Sequence, residues 1–484
     1  MNQTELLAFL PLIVLVSWAI ILMLVDLWVP KDRKSILAFL TALGLIVSLG
    51  LTVSQSNETV IAFNGMAVVD GFGLFLTALF LVSGLAATGL AHNYIKRIGI
   101  ERGEYYVLLL FSISGMILMA YANDLIIVFL ALELLSIPLY ILAALAHPKK
   151  ESEESSLKYF ILGTLAAAFV LYGISLVYAA SASTRLPIIL DAVAKGQILH
   201  PILFVVGAAF LLIGFAFKTA VVPFHAWAPD VYQGAPSPVT GFMSIGAKAA
   251  GIAALLRVFL TIFPSIAVDI VPVMGVLAAL TMIVGNVVAV AQSNIKRLLA
   301  YSSIANGGYL LMAFVPYNQQ ALRGDLISAM LFHLAAYALT GFAAWAVIVA
   351  MEKEDGSGLE LSDFGGLASK NPRQAMVMFV AMLSLTGIPL TLGFWGKFYL
   401  FRTVMQGGFT WLAVLGVLTS VISAFYYLRV VVYMYMRPVE SEQKIEGDFW
   451  LNAVGIISAV LVIVVSFMPN WLYSLVQNAL LTMF

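Results

Sequence analysis

Lys218, Lys248 and Lys397 each lie inside or beside a long apolar run, and Glu133 sits in the middle of another, in a chain with only 10% charged residues. An ionisable side chain at bilayer depth costs roughly 2.5–3.5 kcal/mol on insertion scales, so each is a candidate functional group. Opposite charges that pair in a low-dielectric interior offset part of each other's desolvation cost, and a static ion pair with Glu133 would need no further role. One glutamate cannot neutralise several lysines, however, and a buried lysine without a counter-charge holds its proton loosely. Such groups in series can carry protons.

Three further residues are candidates for a relay. Lys158 follows the acidic run Glu151-Ser152-Glu153-Glu154 and opens an apolar segment. It reads either as a surface anchor or, if Gly163 marks close helix contact, as a group facing the bundle. His225 comes seven residues after Lys218, and His333 is central in its own apolar run; an imidazole titrates near neutral pH. Neither pattern has the spacing of a metal site. Cysteine is absent, which excludes disulfides, thiolate-held iron–sulfur clusters and a cysteine nucleophile. No glycine-rich phosphate loop or nucleotide fingerprint occurs, net charge is zero, and nothing supports bound nucleic acid.

What positions these groups is a membrane. Hydrophobic residues make up 62% of the chain and mean hydropathy is +1.01, so the sequence predicts an all-α, polytopic membrane protein. About fourteen spans are expected, starting near residues 6, 35, 71, 104, 124, 157, 201, 236, 268, 297, 324, 374, 409 and 450, with the seventh, eighth and twelfth least regular. The N-terminal stretch has neither a basic region nor a small-residue cleavage site and reads as the first retained span. The Asn57-Glu58-Thr59 sequon reads as chance.

Charge in the loops tests this count. Lys31, Arg33, Lys34, Lys96, Arg97, Arg102, Lys149, Lys150, Lys296, Arg297, Lys353, Lys370, Arg373, Arg437 and Lys444 fall in odd-numbered loops, against Arg185, Lys195 and Arg323 in the others. Basic loops face the cytoplasm, which puts both termini on the outer, periplasmic side of a bacterial inner membrane. Arg257, Arg402 and Arg429 lie in the outer thirds of their spans and are expected to snorkel. Lys248 has no such escape: it is about twelve residues from either end of 236–263, among Gly246, Ala247, Ala249, Ala250 and Gly251, which permit close packing or a water cavity. Glu133, nine residues after Asp124 and fourteen before His147, is equally deep.

Two spans join a helix breaker to a lysine. Pro223 follows Lys218 by five positions, and Gly387, Pro389 and Gly393 precede Lys397. Proline removes a backbone donor and clashes with the preceding turn, so both helices are expected to be discontinuous. The two lie five spans apart, an odd offset, which implies an inverted repeat of the kind that lines hydrated transport sites with unwound backbone.

These residues carry a resemblance. The runs Glu133-Leu134-Leu135-Ser136-Ile137-Pro138-Leu139-Tyr140, Phe217-Lys218-Thr219-Ala220-Val221-Val222-Pro223-Phe224-His225, Trp227-Ala228-Pro229-Asp230-Val231-Tyr232-Gln233-Gly234-Ala235-Pro236, Asn294-Ile295-Lys296-Arg297-Leu298-Leu299-Ala300-Tyr301-Ser302-Ser303-Ile304 and Gly393-Phe394-Trp395-Gly396-Lys397-Phe398-Tyr399 resemble the antiporter-like subunits of respiratory complex I. The similarity extends over essentially the whole chain. Within that superfamily, the Pro-Asp-Val-Tyr-Gln-Gly-Ala-Pro run and a lysine in the twelfth span are similar to the N-subunit branch of NADH:quinone oxidoreductase, the counterpart of mitochondrial subunit 2.

The resemblance implies fourteen helices in a single domain, residues 1–484, with two inverted five-helix repeats at 104–263 (helices four to eight) and 268–436 (helices nine to thirteen), helices seven and twelve being broken. It carries the family's functional positions to Glu133, Lys218, Lys248 and Lys397, and the basic residue opening helix six to Lys158. It departs at Asn306, where relatives often have histidine; an amide cannot titrate. The implied activity is proton translocation coupled to electron transfer from NADH to quinone. NADH, FMN, iron–sulfur clusters and quinone belong to partner subunits, and no cofactor or metal is expected in this chain. Implied partners are the other membrane and peripheral subunits of the complex, adjacent antiporter-like subunits among them, and membrane lipid. A cation/proton antiporter or membrane-bound hydrogenase subunit uses the same lysines, and a non-transporting structural subunit is the alternative from another class.

Overall fold

The computed structural model describes residues 3–30, 33–55, 59–438, 448–479 and 481–482. Lys31, Lys444, and Asn57 and Glu58 of the sequon lie outside the described residues. The chain begins with α1 (Gln3–Ala8), α2 (Leu10–Asp26) and α3 (Ser35–Ser54), followed by a small antiparallel hairpin, β1 (Val60–Ala62) with β2 (Ala67–Val69). Then come α4 (Gly71–Arg97), α5 (Glu104–Tyr121), α6 (Leu125–Ala143), α7 (Lys150–Ser181), α8 (Leu186–Ala194), α9 (Pro201–Lys218), α10 (Trp227–Gly234), α11 (Ser237–Phe242) and α12 (Lys248–Ile262). The second half holds α13 (Ala267–Val290), α14 (Ile295–Phe314), α15 (Arg323–Met351), α16 (Leu367–Lys370), α17 (Pro372–Thr386), α18 (Leu392–Gln406), α19 (Thr410–Met436), α20 (Phe449–Phe467) and α21 (Pro469–Asn478). Eleven helices among the described residues are long and apolar enough to cross a membrane; α2 is apolar but, at 17 residues, shorter.

Burial separates two kinds of helix. Every residue of α11, the π turn Met243–Ala247 and α12 is buried, and so is nearly all of α15, whereas α3, α7, α19 and α20 expose leucine, isoleucine, valine and phenylalanine along their outer faces. An apolar helix that is buried all round belongs at the centre of a bundle; one with an apolar outer face suits lipid. The central position of α12 puts Lys248 in the middle of the protein.

The expected discontinuities are present. α9 ends at Lys218, Ala220 takes a left-handed conformation (φ +57°), and in the unwound stretch beyond it the Val222 N–H donates to Thr281 Oγ1 on α13 at 3.0 Å. α17 ends at Thr386, where Gly387 (φ +87°) supplies the left-handed residue, and α18 resumes at Leu392. Irregular backbone survives at membrane depth only where other groups satisfy it, as Thr281 does here. The irregularity of the eighth span takes another form, the π turn that runs directly into Lys248. Such turns alter the direction of the side chains that follow them.

Two basic residues differ from expectation. Arg257 does not snorkel: it is 2% exposed, its guanidinium grips both Asp70 oxygens at 2.8 and 3.0 Å, and Nη2 also donates to the Ala120 carbonyl at 2.6 Å. A fixed carboxylate nearby makes burial cheaper than extension to the interface. Lys296, counted with the loops, is also buried, with Nζ donating to the Ala235 carbonyl at 2.6 Å. Arg402 is exposed, and Arg429 caps the end of α13 through the Val290 and Gln292 carbonyls.

Candidate functional site: a polar axis through the bundle

The axis starts on α6. Glu133 is half-buried and shares a small cavity with Ser136, Tyr140, Gly163, Gly214 and Lys218. Ser136 lies three residues after Glu133, on the same helix face. The Lys218 ammonium donates to Ser136 Oγ at 2.8 Å and to Tyr159 OH at 3.2 Å, so two hydroxyls, and not the Glu133 carboxylate, receive it. Glu133 acts on Lys218 across that cavity, through its field. Lys218 is the last residue of α9, where free carbonyls give the helix end negative character and favour a cation. Tyr159 is held by stacking on Trp227 at 4.7 Å, and Trp227 Nε1 donates to the Phe217 carbonyl at 3.0 Å, which ties the start of α10 to the end of α9.

Small residues let the next lysine approach. A Cβ on Gly251 would stand 3.0 Å from Thr219 Cγ2 and 3.2 Å from Lys218 Cγ, so α12 lies directly against the break. A Cβ on Gly307 of α14 would stand 3.0 Å from the Thr219 carbonyl and 3.8 Å from Lys248 Nζ. One glycine therefore separates the unwound end of α9 from the Lys248 ammonium. Lys248 donates to the Ser303 carbonyl and, at 2.5 Å, to Ser303 Oγ, and it lies 5.9 Å from the centre of the Tyr337 ring.

Beyond Lys248 the axis continues along α15. His333 is 3% exposed, stacks on Tyr337 and feels both Lys248 and Lys397. Neither of its ring nitrogens makes a well-formed hydrogen bond among the described residues, and Nδ1 lies against Gly396, the residue before Lys397. Lys397 reaches back over the gap between α17 and α18 to donate to the Leu385 and Thr386 carbonyls and to Ser420 Oγ, all at 2.9 Å. Gly387 stops α17 and leaves those carbonyls free, and the ammonium caps them. Both broken helices thus hold a lysine against the C-terminal end of their first half.

The remaining candidates lie off this line. Lys158 is 42% exposed and pairs with Glu154 and Asp230 at 2.7 Å each; Asp230 also binds Arg297 at 2.7 Å, joining α7, α10 and α14. Gly163 does mark close contact, with the Tyr140 ring filling the space a Cβ would need. His225 sits in the break, half-buried, with Nδ1 unpartnered among the described residues. Asn306 donates to Ser302 within its own helix. The hydroxyls of Ser136, Tyr159, Ser303, Tyr337 and Ser420 were not singled out from the sequence; the one available signal was Ser136, a turn from Glu133.

The family model described as NADH:quinone oxidoreductase/Mrp antiporter, TM, matches residues 122–423, which include every group on the axis. A curated protein from Chloroflexus aggregans, NADH-quinone oxidoreductase subunit N, is 42% identical over 476 residues, covering 98% of this chain and 96% of the relative. This chain belongs to the subunit N family. A second subunit N, from Trichlorobacter lovleyi, is 41% identical over 94% of the chain and 91% of its own length. Among solved structures, a chain of respiratory complex I from Thermus thermophilus superposes with a TM-score of 0.83 at 35% identity, covering 96% of this chain and 98% of its own. A chain of the Mrp complex from Dietzia shares the fold, with a TM-score of 0.85, 20% identity and coverage of 99% and 97%. As a subunit N the chain is a polytopic integral membrane protein of the antiporter-like type.

Proposed function

We propose that this chain translocates protons as a membrane subunit of a bacterial NADH:quinone oxidoreductase, through Glu133, Lys218, Lys248 and Lys397 in that order. The observation that carries the reading is the spacing of three buried ammonium groups, each on hydroxyl or carbonyl acceptors, with Gly307 and His333 in the two intervals. Fourteen spans are part of the proposal: α2, α14 and the pair α17–α18 join the eleven apolar helices. So are inverted repeats at 104–263 and 268–436, and termini on the periplasmic side. NADH, FMN, iron–sulfur clusters and quinone are assigned to partner subunits, with adjacent antiporter-like subunits and lipid around the bundle.

In the cycle, a change transmitted from a neighbouring subunit alters the field of Glu133 at Lys218. The Lys218 proton then passes by way of water near Thr219 and Gly307 to Lys248, and through His333 to Lys397, which releases it toward the opposite side. In this reading His225 and Lys158 resupply Lys218 through water from the basic-loop side. Moving one charge against 100 mV requires about 2.3 kcal/mol. A hydrogen bond to a charged group contributes about 1.5–3 kcal/mol, so exchanging one of Lys218's two acceptors is an adequate drive.

Lys248→Met in the assembled complex tests the order. Loss of NADH-driven proton uptake is expected; normal uptake at normal assembly would remove Lys248 from the path and favour a structural subunit.

A further inference from the structure

Glu352 is a buried carboxylate that the axis does not use. It follows the last residue of α15 and is 7% exposed. Ser237 Oγ donates to its Oε2, and the Ser237 N–H donates to Tyr94 OH at 3.2 Å, so carboxylate, hydroxyl and phenol meet where α4 and α15 end and α11 begins. Lys296 of α14 lies in the field of the same carboxylate, Arg97 and Lys149 are charged neighbours of this cluster, and Lys353 and Glu354 come next in the chain. Arg97 and Lys149 are held by the Val349 and Glu354 carbonyls, which fixes this corner among the basic loops.

A column of small and hydroxyl-bearing residues leads inward from Glu352. On α14, Lys296 and Ser303 are seven residues apart, hence on one face and about 10.5 Å apart along the axis. Ala300 lies between them on that face. Lys296 binds the Ala235 carbonyl at the end of α10, and the hydroxyl of Tyr232, nearly one turn earlier in α10, lies beside that of Ser303. Ser303 Oγ in turn receives Lys248 at 2.5 Å.

We propose that Glu352 is the proton-collecting residue of the basic-loop face and supplies Lys248 along the column Ser237, Tyr232, Ser303. This rests on the reading of Lys248 as the central relay. A proton from bulk water neutralises the Glu352 carboxylate, and the new O–H donates to Ser237 Oγ. The Ser237 proton moves on through water and the Tyr232 and Ser303 hydroxyls to a Lys248 that has given up its own. Only protons move, and each hydroxyl loses one and regains one.

The test is NADH-driven proton uptake by the intact complex in proteoliposomes, measured from pH 6 to 8.5 for Glu352→Gln, Glu352→Asp and Lys248→Met. Glutamine keeps an acceptor for Ser237 but cannot titrate. Positioned proton-transfer groups contribute about 10²–10⁴-fold, and with direct hydration as a bypass Glu352→Gln is expected to lose at least about ten-fold at pH 8. The residual rate rises close to ten-fold for each unit that pH falls, and Glu352→Asp restores most of the wild-type rate. Wild-type uptake across the range in Glu352→Gln, with Lys248→Met inactive, overturns the collecting role and leaves the axis intact. A loss that is independent of pH and not rescued by aspartate makes Glu352 structural. Normal uptake in Lys248→Met overturns the axis and this proposal together. If Glu352→Gln does not assemble, Ser237→Ala, which keeps the carboxylate, is expected to show the same pH steepening; a flat profile there overturns the proposal.

Discussion

Gly307 is the narrowest point between the broken end of α9 and Lys248, and replacing it by alanine isolates that step. The added methyl would lie 3.0 Å from the Thr219 carbonyl and 3.8 Å from Lys248 Nζ. The first contact is a few tenths of an ångström short of comfortable, and relief requires a backbone shift at the break or a tilt of α14. Overpacking of this kind costs about 1–3 kcal/mol, against the roughly 5–15 kcal/mol stability of ordinary folded proteins, so the variant should assemble. The functional effect is larger. A methyl group fills about the volume of one water molecule, ~30 Å³, and proton transfer needs hydrogen-bond contact or a single bridging water. With that space occupied by carbon, NADH-driven proton uptake in proteoliposomes should fall at least about ten-fold while assembly on native gels is unchanged. Gly307→Ser places a carbon at the same position but adds a hydroxyl that can pass a proton, and should retain more uptake than alanine. Equal, wild-type rates for Gly307→Ala and Gly307→Ser would refute the idea that protons cross there.

Other perturbations follow from the same geometry. Asp70→Ala strands the fully buried Arg257 and should cost about 3–5 kcal/mol, read as a lower unfolding temperature, whereas Asp70→Leu with Arg257→Met should recover most of it; equal stability of the single variant and wild type would show the pair to be idle. Ser136→Ala removes the closer acceptor of Lys218, worth about 1.5–3 kcal/mol, and should slow pumping about ten-fold, with Ser136→Thr restoring it; an unchanged rate would move Lys218's function to Tyr159. His333→Leu should block transfer between Lys248 and Lys397 and abolish uptake while His333→Gln, which can still bind water, retains part; full activity of the leucine variant would route the axis elsewhere.

Charge and helix breakers made the axis legible, because each carries a cost that sequence cannot hide. An ammonium in an apolar run demands a reason, and a proline or a string of glycines beside it announces unwound backbone. Lys218, Lys248, Lys397 and the two breaks were therefore visible at once. Their acceptors were not: Lys218 meets Ser136 and Tyr159 from 82 and 59 residues away, and serine and tyrosine are unremarked in any apolar helix. Opposite signs alone suggest an ion pair between Glu133 and a lysine, while only the structure reveals the hydroxyls that receive the Lys218 ammonium. Arg257 misled in the other direction. Its position near a span end fits snorkelling, and its true partner, Asp70, is 187 residues away. The eighth span reads as irregular, but nothing in its composition specifies a π turn before Lys248, and Glu352, which follows the end of α15, carries no mark in the sequence that separates it from the charged loop residues beside it.

Lys218 is where the proposed drive from Glu133 enters the axis, and its loss is the most direct test. In proteoliposomes containing the intact complex, NADH oxidation and proton uptake are compared for wild type and Lys218→Ala at matched assembly and membrane leak. Loss of both is the predicted result; normal values for both would contradict the account and make Lys218 a structural residue.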